Sequence, residues 1–176
     1  MCIYMYILVD TECSLCQCSP SRRAFVMNLL DNSGREVLRV RRPCRCTKCF
    51  LCCCCPCCLQ YVEVESPPGH VIAKIKETVS ILRDSFSIVD ADGQPVWTVK
   101  GPCCVGSCCP DAVFRMYPAK GGKECGRIMK QWSGYEEEEK NDSDHYGLFF
   151  PKDVDIRMKA AMVAACILVV CCILHS

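Results

Sequence analysis

The sequence lacks the short motifs that mark the common nucleotide-binding and hydrolytic sites. It contains no glycine pattern of the dinucleotide-binding or phosphate-binding kind, no H-E-x-x-H and no G-x-S-x-G. Each of these motifs holds a phosphate, a metal ion or a nucleophile on a defined turn. Without them we expect no covalent catalysis, and the chain is not interpreted as an enzyme.

An excess of charge of one sign is also missing. Twenty-one Lys and Arg side chains oppose twenty Asp and Glu, so the formal net charge is +1 and favours neither a polyanionic nor a polycationic partner. Locally, residues 21–48 hold eight basic and only two acidic side chains, and an acidic run follows at residues 136–139. The basic block suits nucleic acid or the anionic cytoplasmic leaflet of a membrane, unless it is an ordinary solvated face.

The first ten residues have little of a secretory signal, because they carry no basic n-region and no small-residue cleavage site follows them. We therefore expect the chain in the reducing cytosol, where its twenty-one cysteines stay free thiols. The odd total also fits a disulfide framework poorly. Disulfides are the least favoured explanation of the cysteines.

The most informative element is a run of nine cysteines in residues 44–58, interleaved with Arg45 and Lys48. Cysteines beside basic and apolar residues are typical of S-acylation at a membrane surface. The thiols could instead ligate zinc or an iron–sulfur cluster, although the three histidines lie far from the run. The third interpretation of the run is that its thiols are inert. A smaller cluster at residues 103–109 is interpreted as structural or weakly modified.

Two segments of the chain repeat one pattern, since residues 31–44 and 90–103 coincide at six positions. In each, an apolar stretch meets an Asp/Asn/Gly turn and leaves as an alternating strand, which indicates a hairpin. A second hairpin follows each time, at residues 61–75 and 113–132. Duplicated hairpin–Cys–hairpin units predict a β-rich barrel or sandwich, because closure removes exposed edges.

The end of the chain differs, because residues 160–174 are all apolar. Asp153 is the predicted N-cap of a helix that begins at the next residue, with Asp155 in its first turn. Fifteen apolar residues span roughly 22 Å, short of the roughly 30 Å hydrocarbon core. The helix therefore either crosses a membrane with help from its flanks or is buried on all sides within the β-domain. We divide the chain into a β-domain, residues 1–153, and this helix, residues 154–174.

Residues 142–153 follow an EF-hand-like register, with acids at its first, third and last positions and a glycine at its sixth. Aromatic residues stand where oxygen ligands are usual, so calcium binding would be weak, with a Kd on the order of 10⁻⁴ to 10⁻³ M. The alternative is a polar turn before the terminal helix. The candidate ligands are Asp142, Asp144, Tyr146, Leu148, Phe150 and Asp153.

Another basic segment, residues 126–132, could serve a nuclear-import receptor or nucleic acid. Its spacing favours an ordinary strand with one packed tryptophan. The segment consists of Gly126, Arg127, Ile128, Met129, Lys130, Gln131 and Trp132.

Together these motifs resemble the phospholipid scramblases. The resemblance covers residues 10–174 and is carried in order by D-T-E-C, P-S-R-R-A-F, D-N-S-G-R-E-V, R-R-P-C-R-C, C-C-C-C-P-C-C-L-Q, S-P-P-G, G-P-C-C-V-G-S-C-C, the D-x-D…G…F-P-x-D loop and D-V-D-I-R-M-K-A. It implies an antiparallel, tubby-like β-barrel built around or followed by a C-terminal hydrophobic helix. The sequence begins after the family's opening strands, so we expect the barrel to be incomplete.

The implied activity is calcium-responsive, ATP-independent and bidirectional movement of phospholipids between leaflets. The resemblance also implies localisation at the cytoplasmic side of the plasma membrane. It implies entry into the nucleus through residues 126–132 when the chain is not acylated. A short apolar helix offers no groove for headgroups, so transport would need homo-oligomers or bilayer thinning. Palmitate is implied on Cys52, Cys53, Cys54, Cys55, Cys57 and Cys58.

Two other functions compete with this one. The first is a palmitoylated, membrane-anchored adaptor or signalling protein that shuttles to the nucleus and moves no lipid itself. The second is a cysteine metal protein or a nuclear DNA binder.

Overall fold

A computed structural model describes residues 6–10, 24–43, 59–80, 83–102, 112–131, 145–151 and 153–170. It contains ten strands and one helix in these ranges. The first five strands are β1 (Tyr6–Asp10), β2 (Phe25–Leu30), β3 (Glu36–Arg42), β4 (Tyr61–Ser66) and β5 (His70–Glu77). The others are β6 (Ser85–Asp90), β7 (Pro95–Lys100), β8 (Val113–Pro118), β9 (Gly126–Gln131) and β10 (His145–Phe149), followed by the helix α1 (Ile156–Val169).

The strands form one antiparallel sheet in which the spatial order equals the chain order, from β1 to β10. Each strand pairs with the next in a defined register, such as Val40↔Val64 and Ile75↔Ile88. Within the described ranges no register joins β10 to β1, so the sheet is not closed there. The predicted fold class, mainly β with an incomplete barrel and one C-terminal helix, is confirmed.

All four predicted hairpins are present as the pairs β2–β3, β4–β5, β6–β7 and β8–β9. The repeated Asp-x-x-Gly turns explain two of them, because Gly34 and Gly93 take φ angles of 77° and 79° that favour glycine. In the first turn the Asp31 carboxylate accepts the backbone N–H groups of Ser33 and Arg35 at 2.8 and 2.9 Å. Hydrogen bonds from Ser33 and Arg35 lower the pKa of Asp31 to about 2.

Alternation along the strands builds the core. Inward positions such as Val40, Val62 and Ile75 are fully buried, while their neighbours along the strand are more exposed. The helix α1 fills the space that the curved sheet leaves, and it contacts β4, β5 and β10.

From Ala160 to Val170 the terminal apolar segment is buried or partly buried against the sheet, as the core alternative predicts. None of residues 160–170 is exposed, and the most deeply buried are Ala161, Met162, Ala164, Ala165, Leu168 and Val169. A helix that is apolar all round belongs inside a protein core or a bilayer. In the described part of the chain, no helix is long and apolar enough to cross a membrane.

The predicted start of the helix was wrong by two residues. The helix begins at Ile156, and Asp155 occupies the capping position without a side-chain capping hydrogen bond. The first turn therefore contains no acidic residue, in contrast to the prediction. Val154 packs against the core, so the chain turns into the helix only after that contact has been made.

We expect Gly126→Ala to lower the free energy of unfolding by about 1–3 kcal/mol, the usual cost of overpacking a core. A Cβ at Gly126 would lie 2.7 Å from the Phe149 carbonyl oxygen and 2.9 Å from the methyl carbon of Met162. The backbone oxygen cannot move aside without breaking the contact between β9, β10 and α1. Urea unfolding measures the change.

Gly147→Ala is the matched control for this substitution, because it lies in the adjoining strand and its Cβ would meet only the Phe149 ring, at 3.2 Å. An equal or larger loss of stability from Gly147→Ala would contradict the close approach of Phe149 and Met162 to Gly126.

Candidate membrane-facing end

The order of the strands gathers alternate connections at one end of the sheet. Odd-numbered strands all run one way and even-numbered strands the other, because every neighbouring pair is antiparallel. The short turns lie at one end, which we call the hairpin end. The connections that lead from each odd strand to the next even strand leave from the opposite end, which we call the linker end. They are residues 11–24, 43–60, 78–84, 101–112 and 132–144.

The linker end is where the cysteine-bearing connections begin and finish. Residues 13–18, 44–58 and 103–109 contain sixteen of the twenty-one cysteines, and each segment belongs to one of these connections. The segments themselves lie outside the described residues, but the strand ends that carry them are described. Sequence reasoning placed the two larger clusters at matching positions of the repeated unit and passed over residues 13–18. Only the strand order shows that all three share one end of the sheet.

A buried polar clamp holds the two ends of the main cysteine run. Arg42, the last residue of β3, is 2% exposed and donates from Nη2 to Oε1 of Gln60 at 2.8 Å. Gln60 is 3% exposed, and its backbone N–H donates to Oε2 of Glu77 at 2.8 Å. The run therefore leaves the domain from a point fixed to β3, β4 and β5.

Arg42 was grouped with the basic residues of the predicted membrane-facing block, and its direction corrects that grouping. Strand positions alternate between faces, so Arg42 points inward while Arg39 and Arg41 point outward. Arg39 is used locally, since it bonds Asn28 and Glu36 at 3.1 and 3.0 Å. Among the described residues, the Nε atom of Arg42 has no hydrogen-bond partner. A buried guanidinium without a complete set of acceptors costs stability.

The calcium-loop candidate divides between described and undescribed residues. Asp142 and Asp144 lie outside the described residues, whereas Tyr146 and Leu148 lie in the strand β10 and pair with Lys130 and Ile128. Residues 145–149 are thus a strand and not part of a loop. Phe150 and Asp153 follow it and are exposed. In the described ranges no group of three His, Cys, Asp or Glu side chains could hold a metal ion, and calcium binding stays a prediction.

The import-like segment forms the strand β9 from Gly126 to Gln131, between β8 and β10. Ile128 is buried in the core, and Arg127 is exposed. Trp132 lies outside the described residues. The structure agrees with the interpretation of this segment as a strand, and nuclear import stays a prediction.

Two described cysteines, Cys125 and Cys166, are partly buried. The Cys125 thiol donates to the Met116 carbonyl oxygen at 3.5 Å, and burial raises its pKa. A protonated, partly buried thiol is a weak nucleophile. Cys125 is therefore interpreted as a structural residue.

A family model described as Scramblase matches residues 2–172, nearly the whole chain. This protein belongs to the scramblase family. Phospholipid scramblase 1 of Mus musculus is 39% identical over 164 residues, which are 93% of this chain and 49% of the mouse protein. Phospholipid scramblase 2 of Bos taurus is 39% identical over 160 residues, 91% of this chain and 53% of the bovine one. Phospholipid scramblase family member 5 of Homo sapiens is 34% identical over 83% of this chain and 52% of its own length.

The scramblase family is thus the one that the ordered motifs indicated, and that identification is confirmed. The chain spans about half the length of the curated scramblases it matches. No solved structure matches it. The activity of the longer scramblases therefore comes to this chain as a proposal, supported by what its own residues place together.

Proposed function

We propose that this chain moves phospholipids between the leaflets of a membrane, without ATP and in both directions, while held at the cytoplasmic side of the plasma membrane. The family membership supports lipid translocation. The observation that carries the membrane attachment is that the cysteine-bearing connections share one end of the sheet. Acyl chains at that end would orient the whole domain on the bilayer.

Palmitate on the thiols of residues 52–58 provides the anchor. Each buried methylene contributes about 0.8 kcal/mol, and each basic residue near an anionic leaflet about 1 kcal/mol. Arg45 and Lys48 lie in the same connection as those thiols. Two signals together give stable attachment where one alone would be marginal. The clamp of Arg42 and Gln60 fixes the point from which the anchor leaves the domain.

Calcium is the proposed regulator. Asp142 and Asp144 belong to the connection between β9 and β10, which also leaves from the linker end. An ion bound there would act where the domain meets the headgroups. The small number of carboxylates argues for weak binding. Because the helix α1 is occupied by core contacts, lipid movement would be carried by homo-oligomers or by local bilayer thinning.

Reconstitution into vesicles tests this function. The acylated chain, in vesicles carrying a fluorescent lipid in one leaflet, is expected to expose that lipid to a membrane-impermeant quencher faster when calcium is added. The gain should occur from either starting leaflet and without ATP. Rates equal to those of empty vesicles, with folded protein attached, would refute the proposal.

Replacing both acids of the connection, Asp142→Asn with Asp144→Asn, is expected to remove the calcium stimulation. The control is Asp92→Asn with Asp155→Asn, which changes the net charge equally at two exposed residues outside the linker end. If the control variant loses the same stimulation, the acids at the linker end are not the calcium ligands. The calcium dependence is read between about 10⁻⁴ and 10⁻³ M.

A second candidate function is a palmitoylated adaptor, which the burial of α1 favours because core contacts already cover its apolar surface. Such a protein would recruit partners to the membrane and reach the nucleus when unacylated. The double variant at Asp142 and Asp144 separates the two functions. Loss of lipid movement with retained partner binding favours the scramblase, and no lipid movement by either form favours the adaptor.

A further inference from the structure

A basic pocket opens on the outer face of the sheet at the linker end. Its volume is about 300 Å³, and its wall includes Arg83, Lys100, Arg115 and Tyr117 together with Gly101 and Pro102. Lys100 is the last residue of β7, and Arg83 stands just before β6. The pocket therefore lies beside the connection that carries the cysteines of residues 103–109.

The cations of this pocket belong to a row that crosses three strands. Lys100 is the cross-strand partner of Arg115, and Arg115 is the partner of Arg127. Like charges directly opposite one another destabilise a sheet. Glu124 offsets only part of this repulsion, because its two oxygens bind both Arg115 and Arg127 at 3.0 Å. The row thus keeps an excess of positive charge that folding does not need.

The pocket also holds two cations that have no carboxylate partner in the described part of the chain, Arg83 and Lys100. The Nζ atom of Lys100 lies 5.5 Å from the centre of the Tyr117 ring, a distance at which the ring face attracts the charge. This contact orients the ammonium group and leaves its N–H donors available.

Asp84 is the acid closest in sequence to Arg83, and it does not neutralise that arginine. Burial raises the pKa of the Asp84 carboxyl, whereas an arginine partner would lower it. Its backbone oxygen instead accepts the Gly101 N–H at 2.8 Å and joins the start of β6 to the end of β7. A Cβ on Gly101 would lie 2.7 Å from the Phe114 ring, so only glycine fits at this point in the wall. The packing of the sheet therefore defines this part of the pocket wall.

We propose that this pocket binds a phosphate group, with Arg83, Lys100 and Arg115 as donors. A guanidinium presents paired N–H donors that match phosphate oxygens, and an ammonium adds a compact charge. A volume of about 300 Å³ is at the small end of ligand pockets and suits a headgroup rather than a whole lipid. The phosphate would come from an anionic lipid or from a soluble phosphate ester. The inference rests on the proposed function only for the membrane source of the ligand, since binding needs no lipid movement.

The test uses the full chain produced without acyl chains and three kinds of vesicle. These are phosphatidylcholine alone, phosphatidylcholine with phosphatidic acid, and phosphatidylcholine with oleate adjusted to the same surface charge. The pocket variant is Arg83→Gln with Lys100→Gln, both at exposed positions. The control is Lys120→Gln with Lys123→Gln, two exposed lysines at the hairpin end. Co-sedimentation gives the affinity of each chain for each vesicle.

The pocket variant should bind phosphatidic acid vesicles at least about 30-fold more weakly, because it lacks two side chains that donate charge-assisted hydrogen bonds to the phosphate. The control should stay within about two-fold, because its charges lie away from that surface. Equal losses on oleate vesicles would overturn the inference, since diffuse charge would then explain them. So would an affinity of the pocket variant that is unchanged both for phosphatidic acid vesicles and for glycerol phosphate.

Glycerol phosphate, followed by calorimetry, separates the two sources. In one outcome, the unmodified chain binds glycerol phosphate saturably and shows no preference for phosphatidic acid vesicles. If the pocket variant then loses the binding of glycerol phosphate, the phosphate site is supported and is assigned to soluble esters. A chain that binds phosphatidic acid through the pocket but moves no lipid keeps this inference and refutes the proposed function. If the chain moves lipid but the pocket variant binds both phosphate ligands as tightly as the unmodified chain, the proposed function stands and this inference is refuted.

Discussion

Leu168→Ala is expected to lower the free energy of unfolding by about 2–5 kcal/mol, the range found when a buried leucine leaves a cavity. Leu168 is fully buried in the core cluster that α1 shares with the sheet. Its neighbours on α1, Ala164 and Ala165, are too small to fill the space. Urea unfolding of the full chain, followed by circular dichroism, measures the loss.

Ile156→Ala is the matched control for this substitution, because Ile156 begins the same helix but is 79% exposed. It should change the free energy of unfolding by no more than about 0.5 kcal/mol. Similar small effects from both variants would mean that α1 does not depend on the core for its stability. That result would contradict the buried helix and reopen the membrane alternative.

Serine at all six thiols of residues 52–58 is expected to move the chain from the membrane fraction to the soluble fraction of cells. The affinity for membranes should fall by at least roughly a thousand-fold, because the acyl chains contribute about 0.8 kcal/mol per methylene and the basic residues much less. Mass spectrometry before and after hydroxylamine treatment should show thioester-linked chains on the unmodified protein and none on the variant.

The second cysteine cluster provides the control, since Cys103, Cys104, Cys108 and Cys109 leave from the same end of the sheet. Serine at these four positions should leave most of the chain on the membrane. Complete release by this variant would assign the anchor to the whole linker end. Stoichiometric zinc in the purified protein would replace acylation at residues 52–58 with a metal site.

Much of the fold could be predicted from local pattern. Each Asp-x-x-Gly turn fixes a hairpin through its own backbone bonds, such as Gly34 N–H to the Asp31 carbonyl and Gly93 N–H to the Asp90 carbonyl, at 2.9 and 3.1 Å. Period-two alternation then determines which side chains face inward. The start of α1 was missed because the tertiary contact of Val154, and not the capping preference of Asp153, decides where the helix begins.

The candidate site was less predictable, because its parts come from distant segments. The cysteine runs are obvious in the sequence, but their common end depends on the pairing order of ten strands. From the sequence alone, Arg42 was interpreted as a surface charge, but its position in β3 places it in the core. The pocket of Arg83, Lys100 and Arg115 had no sequence signal, since three separate strands or their flanks supply its cations.

The ordered motifs, the abundance of cysteine and the repeated hairpins were properties of the sequence by itself, and they identified the family and the β-rich class. These features are local or ordered along the chain, so neighbouring residues suffice to define them. Tertiary structure alone decided that the apolar helix lies in the core, that the cysteine connections share one end and that cations gather beside them. Those outcomes depend on which strands pair and which faces meet, and packing settles both over the whole sheet.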